Sequence, residues 1–197
     1  MRASIITTTL ALAATQVTAQ YTNQSAPFNL VLYSHNSTYD GQTLAACHEG
    51  AAIEGLCLDG PLTSTSVQYT FNTSSDLSSD PVLGTPGSLN YELRGGNFNL
   101  SSPLSIPVNP ISNVAVPLFE PSESGANVGF DTSDKLFVWG YTDDTVSPPV
   151  YKSQGFYRWY VCLTNAGYTY TTLAWVVGPH SPENPSCVKV DVKRVFV

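Results

Sequence analysis

Beyond residue 20 the chain holds almost no stretch in which apolar residues recur at i, i+3 and i+4. A helix that packs on a core needs such a stripe, so a helical fold is excluded. The nearest candidate runs from Leu44 to Ala52, and Gly50 and Gly55 limit it to a turn or two. Strand patterns are abundant instead. Phe28 to Ser34 alternates, with Phe28, Leu30 and Leu32 on one face. In Cys187 to Val195 the residues Val188, Val190 and Val192 alternate with Lys189, Asp191 and Lys193, so the valines are expected to face inward. Val67–Phe71, Leu89–Leu93, Val114–Phe119, Lys135–Trp139, Phe156–Leu163 and Thr171–Val177 are rich in β-branched and aromatic residues. Shorter pieces at Gly55–Leu58, Ser102–Val108 and Val128–Phe130 read the same way. The expected architecture is one all-β domain of about ten to twelve short strands, from residue 20 to 197.

A weak internal repeat narrows the choice. Phe71-Asn-Thr-Ser-Ser-Asp-Leu77 and Phe130-Asp-Thr-Ser-Asp-Lys-Leu136 share one frame: an aromatic residue, a polar turn and a leucine. A hairpin repeated in this way fits a β-trefoil, with a two-sheet sandwich as the alternative. Asp76–Gly87 and Ser147–Ser153 read as exposed loops. Pro103, Pro107, Pro110, Pro117 and Pro121 lack the N–H a ladder needs, so their segments belong at edges or in long connections.

Residues 1–19 form a separate unit. Arg2 supplies a positive start, Ile5 to Ala14 a short apolar stretch, and Val17-Thr18-Ala19 a small-residue cleavage site. The pattern is that of a secretory signal peptide, cut before Gln20. The apolar stretch is too short for the ~20 residues of a membrane span. No second apolar stretch follows, so no membrane attachment is expected after cleavage, and the product leaves the cell or stays in its wall. Cys47, Cys57, Cys162 and Cys187 are even in number, as expected of disulfides in an exported chain. Of three possible pairings, Cys47–Cys57 and Cys162–Cys187 are preferred because each closes a local loop. Four sequons, at Asn23, Asn36, Asn72 and Asn99, are candidate glycosylation sites. Asn184 is followed by proline and is excluded.

Charge restricts the partners. Loss of Arg2 with the leader leaves 7 Lys and Arg against 15 Asp and Glu, a net charge of −8. Nucleic acids and anionic lipid are poor ligands for such a chain, because phosphate binding rests on cations. No cofactor is expected: there is no Cys-x-x-Cys pair, and three histidines do not suggest a metal site.

Two groups of residues could carry function. His48 and Glu49 adjoin Cys47, with Glu54 and Asp59 nearby, so a Cys47–Cys57 bridge would gather imidazole and carboxylates suited to acid–base chemistry. The competing reading is local pairing within a tight loop. Aromatic residues concentrate in the last third: Trp139, Tyr141, Tyr157, Trp159, Tyr160, Tyr168, Tyr170 and Trp175. Most are expected in the core. Tyr168 and Tyr170, beside Asn165-Ala-Gly167, are expected at an exposed turn, where they could stack on a sugar. No Gly-x-Ser-x-Gly and no assembled triad is present. A copper-dependent polysaccharide oxidase needs an N-terminal histidine, and Gln20 stands there.

The segment Leu44-Ala-Ala-Cys-His-Glu-Gly-Ala-Ala-Ile-Glu-Gly-Leu-Cys57 resembles the hallmark of an uncharacterised family of secreted filamentous-fungal proteins. Tyr157-Arg-Trp-Tyr-Val-Cys162, Tyr168-Thr-Tyr-Thr-Thr-Leu173 and Asn184-Pro-Ser-Cys187 resemble its C-terminal half. That half is also distantly similar to fungal cell-wall proteins associated with phialide and conidium development, with the 47–57 loop as the point of departure. The resemblance implies an extracellular or wall-associated protein, and it carries over no catalytic set. The leading expectation is therefore a non-catalytic secreted wall or surface protein that binds wall polysaccharide. The alternative is a secreted hydrolase using carboxylates near the Cys47–Cys57 loop.

Overall fold

In the computed structural model, which describes residues 21–75, 77 and 79–197, every regular element is a strand. The expected leader and the cleavage point before Gln20 lie outside the described residues. After a short β1 (Asn23–Gln24), the elements form three successive groups. The first contains β2 (Phe28–Tyr33), β3 (Gln42–Gly50), β4 (Ile53–Pro61) and β5 (Thr70–Thr73). The second contains β6 (Gly87–Arg94), β7 (Asn99–Ser105), β8 (Val114–Ala115), β9 (Leu118–Phe119) and β10 (Val128–Phe130). The third contains β11 (Leu136–Asp143), β12 (Val150–Phe156), β13 (Trp159–Asn165), β14 (Thr169–Val176), β15 (Val188–Lys189) and β16 (Asp191–Phe196).

The first and last strands of each group pair into a closed ring. β16 pairs with β2 from Phe28↔Phe196 to Tyr33↔Asp191. It meets the start of β11 through the Lys135↔Lys193 bridge. β11 pairs with β10, β10 with β6, and β6 with β5. The circle closes where Phe28 and Tyr69 exchange both backbone hydrogen bonds, at 3.0 and 2.8 Å. The middle strands of each group make a hairpin: β3–β4, β7–β9 and β13–β14. These hairpins bond to one another through Glu54↔Phe119, Cys57↔Thr172 and Ala115↔Trp175. Six ring strands and three mutually bonded hairpins are the plan of a β-trefoil. A sandwich would divide the strands between two sheets, and all sixteen described here join one antiparallel network.

The larger core cluster joins ring to hairpins. Phe28, Phe71 and Phe130 meet edge to face, with Phe130 5.3 Å from each of the other two rings. Leu44, Leu56, Leu104, Phe119, Val161 and Leu173 supply the hairpin side and are fully buried. Each such side chain contributes about 1.5–3 kcal/mol by leaving water. Trp159 is also fully buried, and its indole N–H donates to the Leu136 carbonyl at 2.8 Å.

The sequence repeat marks equivalent joints. Phe71 faces Leu89 and Phe130 faces Leu136, each pair tying one group to the next. The frames diverge at their ends, however. Leu136 is buried and opens β11, whereas Leu77 is exposed, because a longer loop delays the next strand to Gly87. Two other expectations are corrected. Residues 44–50, the nearest helical candidate, are strand β3, held by β4 on one side and cross-linked to it. The segment 147–153, expected as loop, enters β12 at Val150, which pairs with Asp143. Pro103 sits within β7 opposite Asn90 at an edge position, as expected of a proline, because β9 joins that strand only from Leu104.

Candidate functional site

Both expected disulfides form: Cys47–Cys57, with Cα atoms 5.8 Å apart, and Cys162–Cys187, at 4.2 Å. The first crosses the β3–β4 hairpin. Gly55 lies in register with Cys47, and a Cβ there would come within 3.2 Å of both the Cys47 sulfur and the Glu49 Cγ. The glycine therefore leaves the room that bridge and carboxylate share.

The hairpin register shifts between His48 and Gly50, so Glu49 is the extra residue of a bulge. A bulge re-aims a side chain, and here it turns the Glu49 carboxyl into the protein. Glu49 is only 5% exposed. The backbone N–H of Tyr168, at the tip of the β13–β14 hairpin, donates to Glu49 Oε2 at 2.9 Å. The other oxygen, Oε1, is buried without a hydrogen-bond partner among the described residues. Gly167 permits the approach, since a Cβ on it would lie 2.0 Å from the Glu49 carbonyl oxygen.

This contact unites the two sequence candidates. The His48 ring lies 5.6 Å from the Tyr168 ring, and Tyr168 lies 6.1 Å from Tyr170. Tyr168 is half exposed, and the His48 side chain is more exposed still. His48 Nδ1 is 3.7 Å from Glu54 Oε1, beyond hydrogen-bond reach and close enough for an ion pair when the imidazole is protonated. The result is a ledge of three rings backed by two carboxylates.

Two expected members stand apart. Asp59 is exposed five residues along β4 from Glu54, about 17 Å at strand spacing. Asn165 donates its amide to Thr169 Oγ1 at 2.9 Å and lines a separate polar cleft of about 290 Å³ with Asn109, Ser112 and Asn184. Of the carboxylates, Glu49 holds the Tyr168 N–H through Oε2, and Glu54 stands beside the imidazole.

Of the sequons, Asn23, Asn36 and Asn99 are exposed, and Asn36 borders a cleft of about 720 Å³ with Tyr33, His35 and Lys189. Asn72 is partly buried in β5 and accepts a hydrogen bond from the Gln24 amide at 3.1 Å. Sequence reasoning passed over Tyr151, because its segment reads as loop. It is exposed on β12 beside Tyr141, their rings 6.5 Å apart. The signal lay in the aromatic residues flanking the polar turn between β11 and β12.

The fold and ledge define an all-β, disulfide-bonded single domain, and among the described residues no helix is long and apolar enough to cross a membrane. The chain belongs to the family described as a domain of unknown function, DUF7907, whose model matches residues 25–196. No curated protein and no solved structure matches it.

Proposed function

We propose that this is a non-catalytic, exported protein of the cell wall or surface that binds carbohydrate on the His48–Tyr168–Tyr170 ledge. The observation that carries the reading is the half-exposed Tyr168 ring, flanked by two other rings and fixed in place through its own N–H by a buried carboxylate. A sugar stacks by burying its apolar face on such a ring while neighbouring polar groups take its hydroxyls. Holding the ring beforehand removes part of the ordering cost of binding. Export is supported by the leader pattern, two disulfides and four sequons. The resemblance to secreted and wall-associated fungal proteins points the same way.

The test is retention of the protein, freed of its leader, on insoluble wall polysaccharides and on a glycan array. A Tyr168→Ala/Tyr170→Ala variant should lose retention and keep its unfolding midpoint within a few degrees. The hydrolase reading replaces this one if the wild type releases reducing sugar or cleaves peptide and Glu49→Gln abolishes that activity.

A further inference from the structure

The molecule has three tryptophans. Trp159 is fully buried and Trp175 is 8% exposed, both in the core. Trp139 is different. It lies on β11, partly open to solvent, with its ring 5.8 Å from Phe137. Directly across the hairpin stands Gly155, which presents no side chain to the indole from β12.

Two clefts meet at this indole. One, of about 480 Å³, is lined by Tyr21, Ser74, Pro86, Asn127 and Tyr141 as well as Trp139. The other, of about 320 Å³, is lined by Ser79, Asp80, Pro81 and Ser153, and shares Leu77, Pro86 and Trp139 with the first. Both volumes are in the range of small-ligand sites, and an occupant of both would be a chain passing over the indole. Beyond Trp139 the aromatic surface continues to Tyr141, 60% exposed, and Tyr151, 63% exposed. Large aromatic residues left open side by side mark a binding surface more often than an idle one.

The lining also limits what can bind. It combines aromatic faces with hydroxyl and amide groups, and among the described residues no Lys or Arg lines either cleft. Among the described lining residues the charged one is Asp80, whose Oδ1 already accepts the N–H groups of Val82 and Leu83 at 2.8 and 2.9 Å. A polyanion would meet no counter-charge, and the chain as a whole is acidic. A neutral polysaccharide suits all of these features: apolar sugar faces for the rings and hydroxyls for the amide and serine groups.

We infer that the Trp139–Tyr141–Tyr151 surface is a saccharide-binding site for a neutral glycan chain, separate from the Tyr168 ledge. It shares no described residue with the ledge. Trp139 is its built-in reporter, because the other two indoles are buried.

The experiment titrates the folded, leader-free protein with neutral hexasaccharides of glucose, mannose and N-acetylglucosamine. Tryptophan fluorescence and its quenching by acrylamide are followed. At least one saccharide should shift the emission and protect it from quencher, and a Trp139→Phe variant should lose that signal. Tyr141→Ala and Tyr151→Ala, both at exposed positions, should each weaken the binding about tenfold. Tyr168→Ala/Tyr170→Ala should leave it unchanged, so that this site and the ledge can fail separately. The inference is overturned if no saccharide moves the signal. It is equally overturned if sedimentation shows a dimer that Tyr141→Ala and Tyr151→Ala dissociate, since the occupant is then a second copy of the chain.

Discussion

The carboxylate of Glu49 accepts the backbone N–H of Tyr168 at 2.9 Å, joining residues 119 apart in the chain. One bond thereby fixes the tip of the β13–β14 hairpin against β3 and sets the position of the ring through which the two candidate groups meet. Hydrogen bonds to a charged group contribute about 1.5–3 kcal/mol, and the unpartnered Oε1 offsets part of that. Glu49→Ala should therefore cost about 1–2 kcal/mol in a denaturant titration. It should also speed amide exchange at Tyr168 more than at Tyr69 in the core. Equal exchange at both amides would show that the bond does not hold the tip.

Gly167→Ala tests the same contact from the other side. The new methyl would lie 2.0 Å from a backbone oxygen, and backbone cannot step aside as a flexible side chain can. The turn must move away from Glu49, at an expected cost of about 2 kcal/mol or more. The His48–Tyr168 ring contact should be lost, seen as a change in the His48 ring proton shifts. An unchanged spectrum would mean that the turn is not seated as described.

Far more of the framework than of the site was legible in the chain. Alternation such as Val188-Lys-Val-Asp-Val192 shows through because a half-buried strand imposes a period of two on its own sequence. The Phe71 and Phe130 frames could be read because the three groups solve one packing problem alike. Residues 44–50 misled because Ala and Leu favour helix, and here the cross-strand partners and the disulfide override that preference. The meeting of Glu49 with Tyr168 had no local signature. It depends on a bulge and on the bonding of β4 to β14, and neither follows from residue spacing.

The two disulfides should differ in weight. In the chain-entropy view, closing a loop of 25 residues stabilises by roughly 3.5 kcal/mol and one of 10 residues by roughly 2.7 kcal/mol. Removing Cys162 and Cys187 together should lower the unfolding midpoint more than removing Cys47 and Cys57 together. Calorimetry on the two double alanine variants checks the order, and non-reducing peptide mapping of the wild type checks the pairing.

Alkaline pH should find a specific weak point at Tyr157. Partial burial, together with donation of its hydroxyl to Asp131 Oδ2 at 2.9 Å, raises this phenol to about 12. The folded state thus keeps a proton that the unfolded chain releases near pH 10. The resulting stabilisation is complete below about pH 10 and is lost as pH rises towards 12. Tyr157→Phe should be less stable than wild type at pH 8 and should lose stability less steeply above pH 10. Parallel stability curves for the two proteins across that interval would contradict the assignment.

The pairing of Phe28 with Phe196 has a mechanical consequence. β2 starts where β16 ends, so the first ring strand enters and the last ring strand leaves the barrel at neighbouring points. A pull applied between them would peel β16 from β2 one rung at a time, a zipper geometry that yields at low force.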